Sequence, residues 1–377
     1  MTCFLRIAML AIVVQLGQPE LCGNGTAAQT LDSSTYELLT KHNLKILHIG
    51  NSFTFDTTCY LPEIVKGTEA DVSDLCIYRM MLSSASFKDW YDTYNDIDIH
   101  LDYRLEKVVG GIDASIATGE GKAGDGSLFR QALSGEQWDI IFIQPEPFSA
   151  PYYEQWTNHD AKGYLNELLA IIKEHQPQAT IGLVLQHSSA SNDVYNAEGS
   201  SLERWRLIAE SVRQCCVDYD IGIVLPYGTA VQNLRASSLN NDMDLTSDGA
   251  HCEFVLTRYA ASCCYYQTII APRTGIPVTE DETRINKEWI QGSSPMISVD
   301  DYTAPIAQKA AMLAVADMYH CNNPETSVVV GMNKAQSSPA LPSIYDLQGR
   351  CLADKPQKGM FIQDGKKFVF VGHFLVQ

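Results

Sequence analysis

Five short apolar segments, separated by stretches with helical periodicity, constrain the fold of this chain more than any other feature. The segments are rich in β-branched residues and lie at 44–50, 75–82, 138–144, 180–186 and 221–225. Helical patterns occupy 61–66, 163–175, 202–217, 254–270 and 304–318. Several apolar segments are continuous rather than alternating, which is typical of strands covered on both faces. The pattern predicts parallel strands joined by right-handed crossovers, and hence a three-layer α/β/α fold with a five-stranded parallel sheet.

Two long connections and the C-terminal region depart from this alternation. Residues 91–137 are expected to add a hairpin, and 274–300 form a second irregular insertion. From residue 324 onward, short β-type runs are separated by turn signals at Gln348-Gly349, Lys358-Gly359 and Asp364-Gly365. The sequence therefore predicts a main domain at 29–323 and a small, all-β appendage at 324–377.

The first 28 residues have the layout of a secretory signal peptide. Arg6 precedes an apolar stretch at 7–16, and small residues follow it. This stretch, like every other apolar run in the chain, is shorter than the ~20 residues that span a bilayer. We therefore expect an exported protein without a membrane span, located in the periplasm, at the cell surface or outside the cell. An N-terminal anchor that is not cleaved is the alternative.

The charge and the cysteines exclude several classes of partner and cofactor. A formal net charge of −18 repels nucleic acid, so nucleic acid is not expected as a partner. None of the 11 cysteines forms a Cys-x-x-Cys pair, and the two adjacent pairs lack the spacing of zinc sites. Asp242, Asp244 and Asp248 lack the spacing of a calcium loop. We expect no metal and no cofactor, and the sequence assigns no disulfide.

A serine follows directly after the first predicted strand. Ser52 ends the segment "HIGNS", and ligands of parallel α/β sheets bind at the carboxyl ends of the strands. A serine hydroxyl becomes a good nucleophile only when a base takes its proton, a third group orients the base and donors await the oxyanion. The alternative is that Ser52 is the N-cap of the following helix.

A base and its orienting carboxylate occur in the segment "LTSDGAHCEF". Asp248 and His251 are three residues apart, so in one helical turn or tight loop their side chains project the same way. The carboxylate then accepts a hydrogen bond from Nδ1 of His251, which leaves Nε2 to face Ser52. Because the segment follows the fifth strand, it lies at the same edge of the sheet as Ser52. A structural hydrogen bond at a helix start is the alternative. His187, after the fourth strand, is predicted to be structural, with substrate contact as its alternative.

The segments "GNSFT" and "DGAH" together resemble the SGNH/GDSL hydrolase superfamily over residues 44–319. The resemblance implies that Ser52 is the nucleophile, His251 the general base and acid, and Asp248 the residue that orients His251. Asn51 stands where the common pattern has Asp, as in a divergent branch.

The same resemblance implies three oxyanion donors. The first is the backbone N–H of Ser52. The second is the backbone N–H at the position after the second strand where the family has glycine and this chain has Ser84. The third is an asparagine side chain after the third strand. The third block, "QPEPFSA", has no asparagine. Gln144 offers an amide nearby, whereas Glu146 at the matching position cannot donate while ionised. Loss of one donor typically costs about 10²- to 10³-fold in rate, so a catalytically weakened protein stays an alternative.

Three aromatic residues beyond the third strand, Tyr152, Tyr153 and Trp156, are candidates for stacking on sugar rings, with loop packing as the alternative. Asn51 and Glu146 are also expected to contact substrate. The sequence thus predicts a secreted serine esterase that removes acyl groups, acetyl above all, from carbohydrate or another small ester. The alternatives are a carbohydrate-binding protein that keeps the fold without efficient chemistry, and a phosphate binder that uses the loop at 51–58.

The C-terminal segments "IYDLQGR" and "KGMFIQDGKK" resemble the sorting module of type IX secretion substrates over about the last 50 residues. This resemblance also implies export. The alternative is a small β appendage without a sorting role.

Overall fold

The structure is a computed structural model that describes residues 33–97, 101–193, 196–197, 199–292 and 294–329, together with five strands beyond residue 343. Contacts divide the chain into two units, Met1–Val330 and Gly331–Gln377. The predicted signal peptide at 1–28 lies outside the described residues. The domain boundaries stay a prediction.

A seven-stranded sheet forms the centre of the first unit. Its strands are β1 Leu44–Gly50, β2 Leu75–Leu82, β3 Tyr103–Gly110, β4 Gly119–Gly121, β5 Ile140–Ile143, β6 Thr180–Val184 and β7 Ile223–Leu225. Their order is β4-β3-β2-β1-β5-β6-β7. Strands β2, β1, β5, β6 and β7 pair in parallel, and they are the five strands that the apolar segments predict.

The prediction of a five-stranded, all-parallel sheet is wrong in strand number, because β3 and β4 add an antiparallel hairpin beside β2. The hairpin comes from the long connection at 91–137, and it pairs the backbone edge that β2 would otherwise expose. Strand β3 alternates buried and more exposed residues in "YRLEKVVG". It therefore lacks the continuous apolar run that identifies the five central strands.

Helices cover both faces of the sheet. They are α1 Ser33–Leu39, α2 Ser52–Thr58, α3 Leu61–Gly67, α4 Phe87–Tyr94, α5 Ser127–Ser134, α6 Leu165–His175, α7 Ser201–Tyr219, α8 Tyr227–Arg235, α9 Leu256–Tyr265, α10 Ala271–Thr274 and α11 Thr303–Ala316. A π-helical turn, Tyr266–Ile270, joins α9 to α10. Short 3₁₀ helices lie at Tyr153–Gln155, His159–Ala161, Val278–Glu280 and Lys287–Trp289.

Two apolar cores, one on each face of the sheet, explain the layers. Ile46 of β1 packs into the core that contains residues of α2, α3, α8, α9 and α11. Its neighbour Leu47 points the other way, into the core that contains residues of α4, α5, α6 and α7. Alternate residues of one strand are thus buried on opposite faces, as expected for the centre of a three-layer α/β/α fold.

The register of the central strands brings their carboxyl ends to one edge. Gly50, the last residue of β1, pairs with Met81 of β2, and Ile49 pairs with Ile143 of β5. Strands β2 and β5, which follow one another along the chain among the parallel strands, lie on opposite sides of β1. The strand order therefore reverses at β1, and the crevice above such a reversal is where α/β sheets bind ligands.

The second unit contains a five-stranded antiparallel sheet. Its strands are β8 Ile344–Tyr345, β9 Cys351–Leu352, β10 Gly359–Gln363, β11 Lys366–Val371 and β12 Phe374–Val376, in the order β12-β11-β10-β8-β9. Strands β10 and β11 pair in antiparallel fashion, and the predicted Asp364-Gly365 turn between them lies outside the described residues. The sorting role of this region stays a prediction.

Candidate active site

The turn between β1 and α2 presents Ser52 at the carboxyl edge of the sheet. Asn51 is the N-cap of α2, since its Oδ1 accepts a hydrogen bond from the backbone N–H of Phe53 at 3.1 Å. Ser52 is the first residue of the helix and is half-buried. The alternative that Ser52 caps the helix is therefore wrong. Gly50 makes the turn possible, because a Cβ there would lie 2.1 Å from Thr54 Oγ1.

The loop after α8 brings His251 to this serine. His251 Nε2 lies 2.9 Å from Ser52 Oγ, although the two residues are 199 positions apart in the sequence. His251 Nδ1 lies 2.7 Å from Asp248 Oδ2. The structure thus joins the three predicted residues in one continuous chain of hydrogen bonds from hydroxyl to imidazole to carboxylate.

Asp248 is itself held by its own loop. Its Oδ1 accepts the backbone N–H groups of Ala250 at 3.0 Å and His251 at 2.7 Å. Burial acts to raise the pKa of Asp248, but these bonds, together with the contact to the imidazole, lower that pKa below its usual value. The carboxylate is therefore ionised at neutral pH and accepts a proton-bearing Nδ1. In that tautomer Nε2 of His251 is the nitrogen that can accept the serine proton.

A buried histidine supports the loop from below. His187 Nε2 lies 2.7 Å from the carbonyl oxygen of Ala250 and must donate, because a carbonyl only accepts. Its Nδ1 then accepts from the hydroxyl of Tyr227 at 3.2 Å. Burial lowers the pKa of His187 to about 3, which matches a neutral ring. Both ring nitrogens are engaged, as the structural interpretation of this residue predicts.

Asp56, one turn after Ser52 in α2, is a second support. It is fully buried, its Oδ2 accepts the backbone N–H of Cys252 at 3.0 Å, and its Oδ1 forms a 2.8 Å ion pair with Arg258 Nε. Asp56, His187 and Cys252 place possible metal-ligating atoms within 4.8 Å of one another. Because the carboxylate and the imidazole already have partners and burial raises the pKa of the Cys252 thiol, this group fits a packed polar cluster better than a metal centre.

A small pocket opens beside Ser52 and His251, with a cavity volume of about 70 Å³. Its wall includes Phe53, Ser84, Phe148, Ser189 and Arg204. A larger cavity of about 570 Å³ lies elsewhere, between the 279–284 segment and α11, and contains no residue of the predicted triad. The site at the sheet edge is therefore narrow, with the hydroxyl and the imidazole at its wall.

A known family covers more than half of this chain. The family model described as Domain of unknown function (DUF4886) matches residues 45–279, more than half of the chain. The chain belongs to the DUF4886 family. The match begins in β1 and includes Ser52, Asp248 and His251. No curated protein sequence matches this chain.

Solved structures extend the comparison. A DUF4886 family protein from Bacteroides uniformis matches with a TM-score of 0.57 and 22% identity, over 76% of this chain and 99% of that chain. This likeness shows a shared fold. A candidate SGNH hydrolase from Slackia heliotrinireducens has a TM-score of 0.35 and 16% identity, over 62% of this chain and 98% of that one. An extracellular lipase from Streptomyces rimosus has a TM-score of 0.29 and 10% identity, over 64% and 100%. Likenesses as distant as the last two establish neither a shared fold nor a shared activity.

In this DUF4886 chain, Ser84 lies shortly after β2, at the position where the SGNH pattern has glycine, and its backbone conformation is uncommon for serine. Its φ is +53°, in the left-handed region that favours glycine. The residue is exposed and lines the pocket. The backbone thus keeps at this position a conformation for which glycine is the usual residue, although the sequence has serine.

Gln144 and Glu146 do not lie where an oxyanion donor and a substrate contact were expected. Gln144 is buried, with its Oε1 accepting from Thr54 Oγ1 at 2.8 Å and its Nε2 donating to Gln186 Oε1 at 3.1 Å. Glu146 accepts the backbone N–H groups of its own turn, including that of Ser149 at 2.9 Å, and burial raises its pKa. Neither residue lines the pocket. The Gln144 side chain is thus bonded to α2 and to the segment after β6, and the Glu146 side chain to its own turn after β5.

Asn51 is also buried rather than available to a substrate. Its Nδ2 donates to the carbonyl oxygens of Ala85 at 3.3 Å and Pro145 at 3.2 Å. With its Oδ1 used as the helix cap, every polar atom of the side chain has a partner. The expected substrate contact is therefore replaced by a structural role that ties together the segments after β1, β2 and β5.

The predicted aromatic platform is absent from the pocket wall, which includes none of Tyr152, Tyr153 and Trp156. Trp156 is buried, and its Nε1 donates to the carbonyl oxygen of Ser149 at 3.0 Å. The Tyr153 hydroxyl donates to Asp218 at 2.7 Å. Loop packing, the alternative, describes Trp156 and Tyr153.

Sequence reasoning missed several residues of the pocket wall, among them Phe148, Arg204 and Ser189. Phe148 is 44% exposed at the rim. Arg204, on α7, is buried and donates from Nη2 to the carbonyl oxygen of Pro147 at 3.1 Å. Ser189 follows β6. The one signal that could have indicated Ser189 is its position after a parallel strand, because such strands end at the same edge as β1.

Proposed function

We propose that this protein is a secreted serine esterase that removes short acyl groups, acetyl above all, from carbohydrate. The observation that carries the proposal is the chain from Ser52 Oγ through His251 to Asp248, with distances of 2.9 Å and 2.7 Å. A hydroxyl in hydrogen-bond contact with an imidazole that a carboxylate orients is the arrangement that activates serine for attack on an ester.

The first half of the reaction forms an acyl-enzyme. His251 Nε2 takes the proton of Ser52 as Oγ bonds to the ester carbonyl carbon, and the carbonyl oxygen becomes an oxyanion. Asp248 stabilises the imidazolium that results. The backbone N–H groups of Ser52 and Ser84 are the proposed donors to the oxyanion. As the intermediate collapses, the bond to the alcohol breaks, and His251 returns its proton to the leaving oxygen.

The second half releases the acid. His251 removes a proton from a water molecule, whose oxygen attacks the acyl carbon. The bond to Ser52 Oγ then breaks, and Ser52 recovers a proton from His251. Each proton and each bond is accounted for by these residues, the ester and water, so the proposed reaction uses no metal and no cofactor.

The size of the pocket supports a short acyl group. A cavity of about 70 Å³ is far below the roughly 300–1,000 Å³ of drug-sized ligand sites. It holds only a few water-sized groups at about 15 Å³ each, which is the scale of an acetyl carbonyl and its methyl group.

An exposed aromatic ring at the mouth of the pocket supports a carbohydrate substrate. The leaving alcohol would lie at the mouth of the pocket, where the exposed ring of Phe148 offers a surface for a sugar face. Export through the predicted signal peptide would bring the protein to polymeric carbohydrate. In the described part of the chain, no helix combines the length and apolar character needed to cross a bilayer.

A carbohydrate-binding protein with weakened catalysis is the second candidate. One observation favours it. The segment after β5 lacks the family's asparagine, and the nearby amide of Gln144 is bonded to Thr54 and Gln186 instead of lining the pocket. A site with fewer oxyanion donors would keep the fold and bind ligand with little turnover.

Hydrolysis of p-nitrophenyl esters by wild type and Ser52→Ala tests the proposal. We expect wild type to prefer acetate to octanoate, and Ser52→Ala to lose at least about 10³-fold in kcat. Ser127→Ala, at an exposed serine in α5, is the matched control and should keep the wild-type rate. Equal rates for wild type and Ser52→Ala would refute the esterase. Binding of acetylated oligosaccharide without Ser52-dependent turnover would favour the second candidate.

A further inference from the structure

The loop that follows β6 carries a hydroxyl that lacks a partner at the pocket wall. The Oγ of Ser189 is buried and has no hydrogen-bond partner in the part of the chain that the structure describes. Ser189 lines the same pocket as Ser52 and His251. Buried polar groups almost always find partners, so an unpaired hydroxyl on a residue of the pocket wall points to a ligand that supplies the missing bond.

Residues on both sides of Ser189, the His187 side chain and the Ala190 backbone, are bonded to the loop that carries the base. His187 Nε2 donates to the carbonyl oxygen of Ala250 at 2.7 Å, and the backbone N–H of Ala190 donates to the carbonyl oxygen of Gly249 at 2.7 Å. These bonds flank Ser189 and end one and two residues before His251. The backbone of Ser189 is therefore held in place relative to the loop of His251 before a substrate arrives, and preorganisation of this kind favours an oxyanion donor.

The narrowness of the pocket limits what the hydroxyl can reach. In a cavity of about 70 Å³ that Ser52 also lines, the strongest hydrogen-bond acceptor of a short ester is its carbonyl oxygen. The residues predicted for the third donor are elsewhere: Gln144 is bonded to Thr54 and Gln186, and Glu146 accepts backbone N–H groups of its own turn. The third donor position is thus open to a group from another strand.

We propose that the Ser189 hydroxyl is this third donor: it donates a hydrogen bond to the ester carbonyl oxygen and holds it as negative charge develops. The inference rests on the proposed esterase function and assigns a role that belongs to β6 rather than to β5. No bond to Ser189 forms or breaks, and its proton stays on Oγ. The bond strengthens as the oxyanion forms, so its loss lowers kcat more than it changes KM.

Steady-state kinetics of Ser189→Ala with p-nitrophenyl acetate, beside wild type and Ser52→Ala, tests this role. We expect kcat of Ser189→Ala to fall about 10²-fold with little change in KM. Ser189→Thr keeps the hydroxyl and should retain more activity than Ser189→Ala. The melting temperature of Ser189→Ala should equal or exceed that of wild type, because the substitution removes an unpaired buried hydroxyl.

The outcomes separate this role from the esterase itself. If wild type is active, Ser52→Ala is inactive and Ser189→Ala keeps the wild-type kcat, the role of Ser189 is refuted and the esterase stands. A change in KM alone, or a rate for Ser189→Thr at or below that of Ser189→Ala, would also count against the hydroxyl. A wild type without Ser52-dependent hydrolysis would remove both proposals together.

Discussion

The carboxylate of Asp56 accepts the backbone N–H of Cys252 at 3.0 Å, and this single bond joins the helix that begins at Ser52 to the loop that carries His251. Asp56 lies four residues after Ser52, and Cys252 is the residue next to His251. The same carboxylate forms an ion pair with Arg258 of α9. The relative position of hydroxyl and imidazole thus depends in part on a buried charged group that forms no hydrogen bond with either.

Substitution of Asp56 tests this dependence through stability. Asp56→Asn keeps the shape but removes the charge that faces Arg258, whose side chain is 17% exposed. Removal of one partner of a buried pair typically costs about 3–5 kcal/mol, so the free energy of unfolding should fall by about 3 kcal/mol. Urea denaturation measures it. Asp301→Asn, at a 96% exposed carboxylate that pairs with Arg284, is the control and should leave stability unchanged. Equal effects of the two substitutions would contradict the structural role.

Asp248→Asn tests the orientation of the base. An amide at this position can donate to Nδ1 of His251, which favours the tautomer with its proton on Nε2 and leaves no acceptor for the Ser52 proton. We expect kcat for p-nitrophenyl acetate to fall about 10³- to 10⁴-fold with an unchanged circular dichroism spectrum. A loss of less than tenfold would mean that another group orients His251.

Two buried histidines predict a loss of stability in acid. Burial, with a smaller effect of Arg79, lowers the pKa of His48 to about 3. Burial also lowers the pKa of His187 to about 3. The unfolded chain, with histidine pKa values of about 6.5, binds more protons than the folded chain between about pH 6.5 and pH 3. Stability therefore falls as the pH drops through this window, by up to about 1.4 kcal/mol per pH unit for each histidine.

His48→Leu checks that prediction. Neither ring nitrogen of His48 has a hydrogen-bond partner in the described part of the chain, so an apolar side chain loses no polar contact there. Denaturant unfolding between pH 4 and pH 6.5 should show a shallower dependence of stability on pH than in wild type. A slope that His48→Leu leaves unchanged would show that the ring is charged or hydrated in the folded state.

Ser84→Gly separates the backbone of this residue from its hydroxyl. Glycine adopts the φ of +53° without steric cost and keeps the backbone N–H. If that N–H is the donor, kcat for p-nitrophenyl acetate should stay close to the wild-type value. A large fall in kcat would indicate that the Ser84 hydroxyl takes part in place of the backbone.

The features that the sequence predicts correctly are those that local pattern and strand geometry determine. Continuous apolar runs such as Leu44–Gly50 identify the five parallel strands, and their common edge predicts that Ser52 and His251 meet. The hairpin expected within 91–137 is present as β3 and β4, but the sequence did not predict that it extends the main sheet, because β3 carries polar residues such as Arg104 and Glu106 and its burial comes from pairing with β2. A pattern within one segment carries no information about such pairing.

Side-chain partners across segments account for the other errors. Gln144 is close in sequence to the expected donor position, but its amide bonds Thr54 and Gln186, which lie in α2 and after β6. Trp156 was expected to be available for stacking on a sugar ring, yet it is 1% exposed and packs against Phe87. In both cases the residue type was read correctly, and its direction was set by contacts with distant parts of the chain.

The buried amide of Asn51 explains why the segment "GNSFT" has asparagine where the common motif has aspartate. An aspartate, the residue of the common motif, has a carboxylate of the same shape but no N–H₂ group. In this protein it would place a negative charge against two carbonyl oxygens, those of Ala85 and Pro145, that the amide now binds. Asparagine and aspartate are therefore not interchangeable at position 51 of this protein. A change from one to the other would require the loops after β2 and β5 to change with it.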